Sequence, residues 1–185
     1  MKKGEKHISM QKVRAYGALT EHSFLGKKLP ANMDAEKAVL GAILLNDQTF
    51  AQAVEVLRPE DFYHPPNQII FEVMTHLVNA MKRIDMVTLQ DELSKRNILD
   101  SIGGVLYIVS LQEDIPEVGL IEQHAKIVKE KSVLRELIIS ATEIIQNCYQ
   151  PKEDTLPAII DRAEKAIFLF LINKQHRTLF SLIFG

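Results

Sequence analysis

One cysteine, no tryptophan, eight glycines and seven prolines leave this 185-residue chain short of everything that staples, plugs or punctuates a fold. The lone Cys148 excludes an internal disulfide framework, and with no Cys/His cluster beside it no structural zinc site is expected. Lying on an apolar helical stripe, it reads as a small core residue. Aromatic residues make up only 6% of the chain, which suits helix packing better than a β-sandwich or barrel. The N-terminus lacks the apolar stretch of a signal peptide, and the longest apolar run, Ala166 to Ile172, is too short to span a bilayer. These absences imply an all-α, cytoplasmic protein with no membrane partner.

Catalytic constellations are missing as well. No two glycines are five residues apart, so a phosphate-cradling G-x-x-x-x-G-K-[ST] loop cannot be written anywhere in the chain. G-x-S-x-G, G-x-G-x-x-G and H-E-x-x-H are also absent. The six histidines, His7, His22, His64, His76, His124 and His176, are scattered. His64 reads as a turn residue bonded to backbone and His124 as solvated helix surface. The acidic pairs Asp91-Glu92 and Glu113-Asp114 read as solvated faces with no companion that would shift a pKa. No catalytic, cofactor-binding or metal-ligating residue is therefore assigned, and function must reside in contacts.

Charge is unevenly placed. Residues 1 to 28 hold Lys2, Lys3, Lys6, Lys12, Arg14, Lys27 and Lys28 against Glu5 and Glu21, a formal +5. The remaining 15 basic and 22 acidic residues give 29 to 185 a formal −7. An acidic body is a poor match for a phosphate backbone, so contact with DNA is expected only indirectly. The basic leader reads as a solvated extension, with nucleic-acid contact as its alternative.

From Pro30 onward the pattern is helical. Asn32 is placed to cap a first helix, with Asp34 and Glu36 in its first turn and Ala35, Val39, Ala42 and Ile43 on its buried face. A second helix runs from about Thr49 to Leu57 and is stopped by Pro59. Asp61-Phe62-Tyr63-His64-Pro65-Pro66 forms a turn from which Phe62 plugs the core. A third helix, from about Asn67 to Ala80, buries Ile70, Phe71, Met74, Leu77 and Val78. Thr88 to Asp91 resembles a capping box in a helix from about Met86 to Arg96. Gly103-Gly104 makes a tight turn before a short helix marked by Val105, Ile108 and Leu111, and Pro116 closes this globular head.

Residues 117 to 170 read as a long antiparallel helical hairpin broken at Gln150 to Asp154. Leu134, Ile138, Ala141, Ile145 and Cys148 follow at spacings of four and three, as do Leu156, Ile160, Ala163, Ile167 and Phe170. Leu137 and Ile144 widen the first stripe beyond what one partner helix covers. Residues 171 to 185 form an apolar tail with Leu179, Phe180, Leu182, Ile183 and Phe184, read as a subunit contact or the start of something truncated.

Several spaced blocks resemble the N-terminal domain of bacterial replicative DNA helicases of the DnaB family. They are Leu29-Pro30-Ala31-Asn32-Met33-Asp34-Ala35-Glu36 through Gly41, Asp61-Phe62-Tyr63, Ile84 to Leu89, Ile102-Gly103-Gly104 and Ile127 to Ile138. The resemblance covers roughly residues 29 to 168, and the leader and the tail depart from it. It implies a head followed by a hairpin through which subunits pair into a collar on a hexameric ring, in contact with the C-terminal domain of primase within a primosome. It also implies that ATP and magnesium belong to a RecA-like motor domain outside this sequence. The residues expected at a subunit or primase interface are Leu137, Ile138, Ile144, Ile145, Leu156, Ile160 and Ile167. The alternative is a stand-alone nucleic-acid-binding or loader-like adaptor acting through the basic leader.

Overall fold

The structure, a computed structural model, describes residues 27–113, 118–149 and 155–183, except for the side chains of 118, 169 and 172–183. Among these residues it is all-α. The helices are α1 (Met33–Leu45), α2 (Thr49–Val56), α3 (Pro65–Asn79), α4 (Met86–Lys95), α5 (Gly104–Ser110), α6 (Ile121–Tyr149) and α7 (Leu156–Ile183). Short 3-10 turns lie at Pro59–Asp61, Asp100–Ile102 and Val118–Leu120. The chain divides into two compact units, Met1–Ser132 and Val133–Gly185, and α6 contributes to both.

In the first unit several helices begin for a local reason. Asn32 Oδ1 accepts the Ala35 amide at 2.9 Å and so caps α1. Asp85 caps α4: its carboxylate accepts the Thr88 amide at 2.8 Å, and the Thr88 hydroxyl accepts the Asp85 amide at 3.0 Å. The capping box thus lies three residues earlier than Thr88–Asp91, because the side chain that accepts must precede the helix, not sit inside it. Pro65 and Pro66 open α3 and do not merely precede it, since a first-turn residue has no intrahelical donor to lose. At the Gly103-Gly104 turn φ is +101° and +70°, a region that side chains with a Cβ rarely adopt.

The core is built from α1 to α5 and the start of α6. Phe62 is fully buried, as its turn position implies, and its ring lies 5.0 Å from that of Phe71, which in turn meets Phe50 at 5.6 Å. Leu40, Ile43, Leu57, Ile70, Met74, Leu89 and Leu93 close around them. Val78, expected on the buried side of α3, is exposed near the end of its helix. Ile121, Ala125 and Val128 are also buried, so the head does not close at Pro116, which lies outside the described residues, but extends into α6.

The second unit is a pair of long helices. Pro157 sits in the first turn of α7, where proline is tolerated, and neither proline nor glycine occurs from Ala158 to Phe184. The helix accordingly runs on to Ile183, through most of the segment read as a separate tail. Cys148, expected in the core, is exposed: it lies one residue from the end of α6, in a unit too thin to enclose it.

Candidate interaction surface

Glu36 and Asp61 are buried carboxylates that tie the elements of the head together. Glu36 leaves the first turns of α1 almost wholly buried and accepts from the Tyr63 amide at 2.6 Å, the His64 amide at 3.2 Å and Asn67 Nδ2 at 2.8 Å. It serves as an N-terminal cap for α3 supplied by another helix, with its charge at the positive end of the α3 dipole. Asn67 Oδ1 then accepts the Tyr107 hydroxyl at 2.6 Å, which ties α5 to the same node. Burial, reinforced by the nearby Glu36 charge, pushes the Tyr107 phenol up to about 12.

Asp61 is the second node. It is fully buried, accepts the Arg58 amide at 2.8 Å, and receives Lys129 Nζ at 2.7 Å on both oxygens and Ser132 Oγ at 2.8 Å. Lys129 and Ser132 lie in α6, so this carboxylate clasps the start of the long helix to the head.

Glu92 departs from its expected role as part of a solvated face. It is buried on α4 beside Arg96 (2.7 Å), His76 (3.5 Å) and Lys82 (3.8 Å). Burial alone pushes its carboxyl up, but the hydrogen bond and charge of Arg96, with His76 and Lys82 beside it, hold it below the ordinary value. Asp91 keeps the solvated role, paired with Lys95 one turn on.

His64 donates its amide to Glu36 while its ring stands 5.7 Å from the Tyr107 ring. Desolvation, followed by repulsion from Lys37, lowers its pKa below 6.5. The unfolded chain therefore binds the proton first as pH falls, so this contribution to stability is complete above 6.5 and is lost below it, down to the folded value. A lower urea midpoint at about pH 5.5 than at about pH 7.5 is expected, with the difference reduced in His64→Gln. An unchanged difference in that variant would assign the pH dependence elsewhere. His124, expected on solvated surface, is half-buried on α6. Among the described residues no group of His, Cys, Asp and Glu is arranged to hold a metal, and no helix is long and apolar enough to cross a membrane.

The seven residues singled out for an interface all lie in the second unit, and none is buried. Leu137 is 48% exposed, Ile145 41%, Leu156 69%, Ile160 50% and Ile167 52%, with Ile138 and Ile144 half-buried. On α7, Leu156, Ile160 and Ile167 fall at i, i+4 and i+11, one stripe of a 3.6-residue helix. Leu134, Ile139, Phe168 and Leu171 add exposed apolar surface nearby in sequence.

Residues 28–130 match the family model of the DnaB-like helicase N terminal domain. Over 138 residues the chain is 41% identical to the replicative DNA helicase DnaC of Bacillus subtilis and 41% to the replicative DNA helicase DnaB of Geobacillus stearothermophilus. In both cases the match covers 75% of this chain but spans only 30% of the relative's length. The crystal structure of the N-terminal domain of DnaB helicase from Mycobacterium tuberculosis superposes with a TM-score of 0.72 at 34% identity, covering 76% of this chain and 99% of that one. The all-α head followed by long helices is therefore that of a known domain, and the chain belongs to the DnaB-like helicase N-terminal domain family.

Proposed function

We propose that this chain is a non-catalytic module of a cytoplasmic replicative helicase, which associates with copies of itself through its two-helix unit and offers a surface to the C-terminal domain of primase. The observation that carries this reading is the exposure of large aliphatic side chains along α6 and α7. A soluble monomer rarely leaves so continuous an apolar stripe in water. Full burial of each such side chain is worth ~1.5–3 kcal/mol, so four or five at one contact offset the cost of association. The membership of the family supports the role in replication, and the acidic body leaves DNA to other parts of a helicase.

Substitution at Leu156 and Ile160 tests the seam better than at Ile144, because their side chains are more exposed than that of the half-buried Ile144. Leu156→Asp combined with Ile160→Asp is expected to weaken self-association by roughly a hundredfold or more, as two buried aliphatics are each replaced by a charge. Sedimentation velocity reads the association and circular dichroism the helicity. Unchanged association with unchanged helicity would remove α7 from the seam.

A further inference from the structure

Helices α3 and α4 end in the same way. At the end of α3 the Lys82 amide donates to the Leu77 carbonyl and the Met81 amide to the Val78 carbonyl, both at 2.9 Å. At the end of α4 the Ile98 amide donates to the Leu93 carbonyl at 3.1 Å and the Asn97 amide to the Ser94 carbonyl at 2.9 Å. This closing motif places one residue in the left-handed region, a position that glycine, or failing that asparagine, normally fills. Asn97, at φ +55°, follows the rule, whereas Met81 stands at +58° with a side chain that is 95% exposed. A long apolar side chain there strains the backbone and buries almost none of itself, so folding gives no reason for it. Adaptable methionine side chains recur on binding surfaces.

The next residue belongs to a cationic cluster. Lys82 Nζ lies 3.8 Å from Glu92 Oε2 and His76 Nδ1 3.5 Å from Glu92 Oε1, both side chains half exposed, while Arg96 holds Glu92 Oε1 at 2.7 Å. Even with His76 neutral, two full positive charges meet one carboxylate, on a chain whose residues 29 to 185 are formally −7. The flanking cations Lys95 and Arg83 are already matched by Asp91 and Asp47. At 3.8 Å the Lys82 ammonium makes no hydrogen bond to Glu92, and its donors are left for another acceptor. A cation just past a helix end also suits the helix dipole. The carbonyls of His76, Leu77 and Val78 are nevertheless already bonded to backbone amides, so the ammonium is not needed to satisfy them.

We propose that the end of α3 docks a short acidic peptide segment of a partner protein, with a carboxylate received by the Lys82 ammonium beside Arg96 and His76 and an apolar side chain against Met81. Consecutive Cα atoms lie ~3.8 Å apart, so neighbouring side chains of one peptide reach both Met81 and Lys82. A peptide fits better than a nucleic acid. The cations converge on one point, whereas a phosphate backbone needs a track of them, and the acidic body repels a polyanion that runs on past the site.

Titration of the nitrogen-15-labelled full chain with the peptide acetyl-Glu-Leu-Glu-Leu-Glu-amide tests this, with glutamine in place of glutamate as the control peptide. The backbone amides of Met81, Lys82 and Arg96 are expected to shift, with a dissociation constant of about millimolar. Lys82→Gln is expected to weaken binding roughly tenfold, as one charge-assisted contact is lost. Met81→Gly is expected to weaken it roughly threefold or more while raising the urea midpoint, because glycine takes the left-handed position without strain. A role confined to folding would leave the affinity alone in that variant. No shift at millimolar peptide, equal binding of the control peptide, or an unchanged affinity in either variant would each overturn the proposal. Stronger shifts of the same amides with oligothymidylate would overturn it in favour of nucleic acid, and shifts on dilution of the protein alone would make a second copy the occupant.

Discussion

Asp61→Ala is expected to destabilise the head by ~3–5 kcal/mol, the range for removing one member of a buried ion pair. The Lys129 ammonium, whose side chain is only 18% exposed, loses both of its 2.7 Å contacts, and the Ser132 hydroxyl and Arg58 amide lose their acceptor. Against a typical domain stability of ~5–15 kcal/mol, that leaves a marginal protein. Asp61→Asn should be milder, because it keeps an oxygen for the hydroxyl and the amide while removing the charge. Combining Asp61→Leu with Lys129→Met should recover much of the loss, since a buried ion pair replaced by apolar groups is often close to neutral. Urea denaturation reads all three. A midpoint for Asp61→Ala within ~0.5 kcal/mol of the parent, as for an ordinary surface change, would show that the clasp contributes little.

Glu36→Ala is expected to cost about 3 kcal/mol or more, because it strands the Tyr63 amide, the His64 amide and Asn67 Nδ2 away from water. Its effect should also reach α5, as Asn67 is the partner of the Tyr107 hydroxyl. Glu36→Gln separates the charge from the packing. It keeps the volume and one acceptor, so a smaller loss of stability is expected. The Tyr107 phenol, held up at about 12 by burial and then by the Glu36 charge, should titrate lower in the variant. Ultraviolet absorbance at high pH follows that titration. An unmoved phenol with full stability would mean that the carboxylate does not organise this node.

What the sequence revealed of this architecture was its local chemistry. Asn32 as a cap, Phe62 as a plug and the Gly103-Gly104 turn each depend on a few neighbouring residues and a known backbone rule, and each stands as expected. The two carboxylate nodes were not legible. Glu36 occupies a first-turn position where an acid is favourable on dipole grounds alone, which masks its second role. Asp61 meets partners 68 and 71 residues away, and no periodicity reports such a pairing. The same distance dependence explains Glu92, whose neighbours in sequence look solvated while His76 and Lys82 approach it from outside its helix. Cys148 was misplaced because a helical stripe states which side is apolar and not whether anything covers it. That limit applies equally to the seven residues expected at an interface: their spacing was readable, whereas their exposure required the structure.

The clasp at Asp61 and the exposed stripe along α7 distinguish the two units. The first unit encloses buried polar groups in a packed head, and the second leaves large aliphatic side chains exposed, the surface proposed above for association. Sedimentation equilibrium of the purified chain at about tens of micromolar, a range in which a contact of about −8 kcal/mol is saturated, tests this division most directly. The account predicts a dimer or larger assembly with a mass that is a multiple of 21.0 kDa. A strict monomer of 21.0 kDa across that range would contradict it.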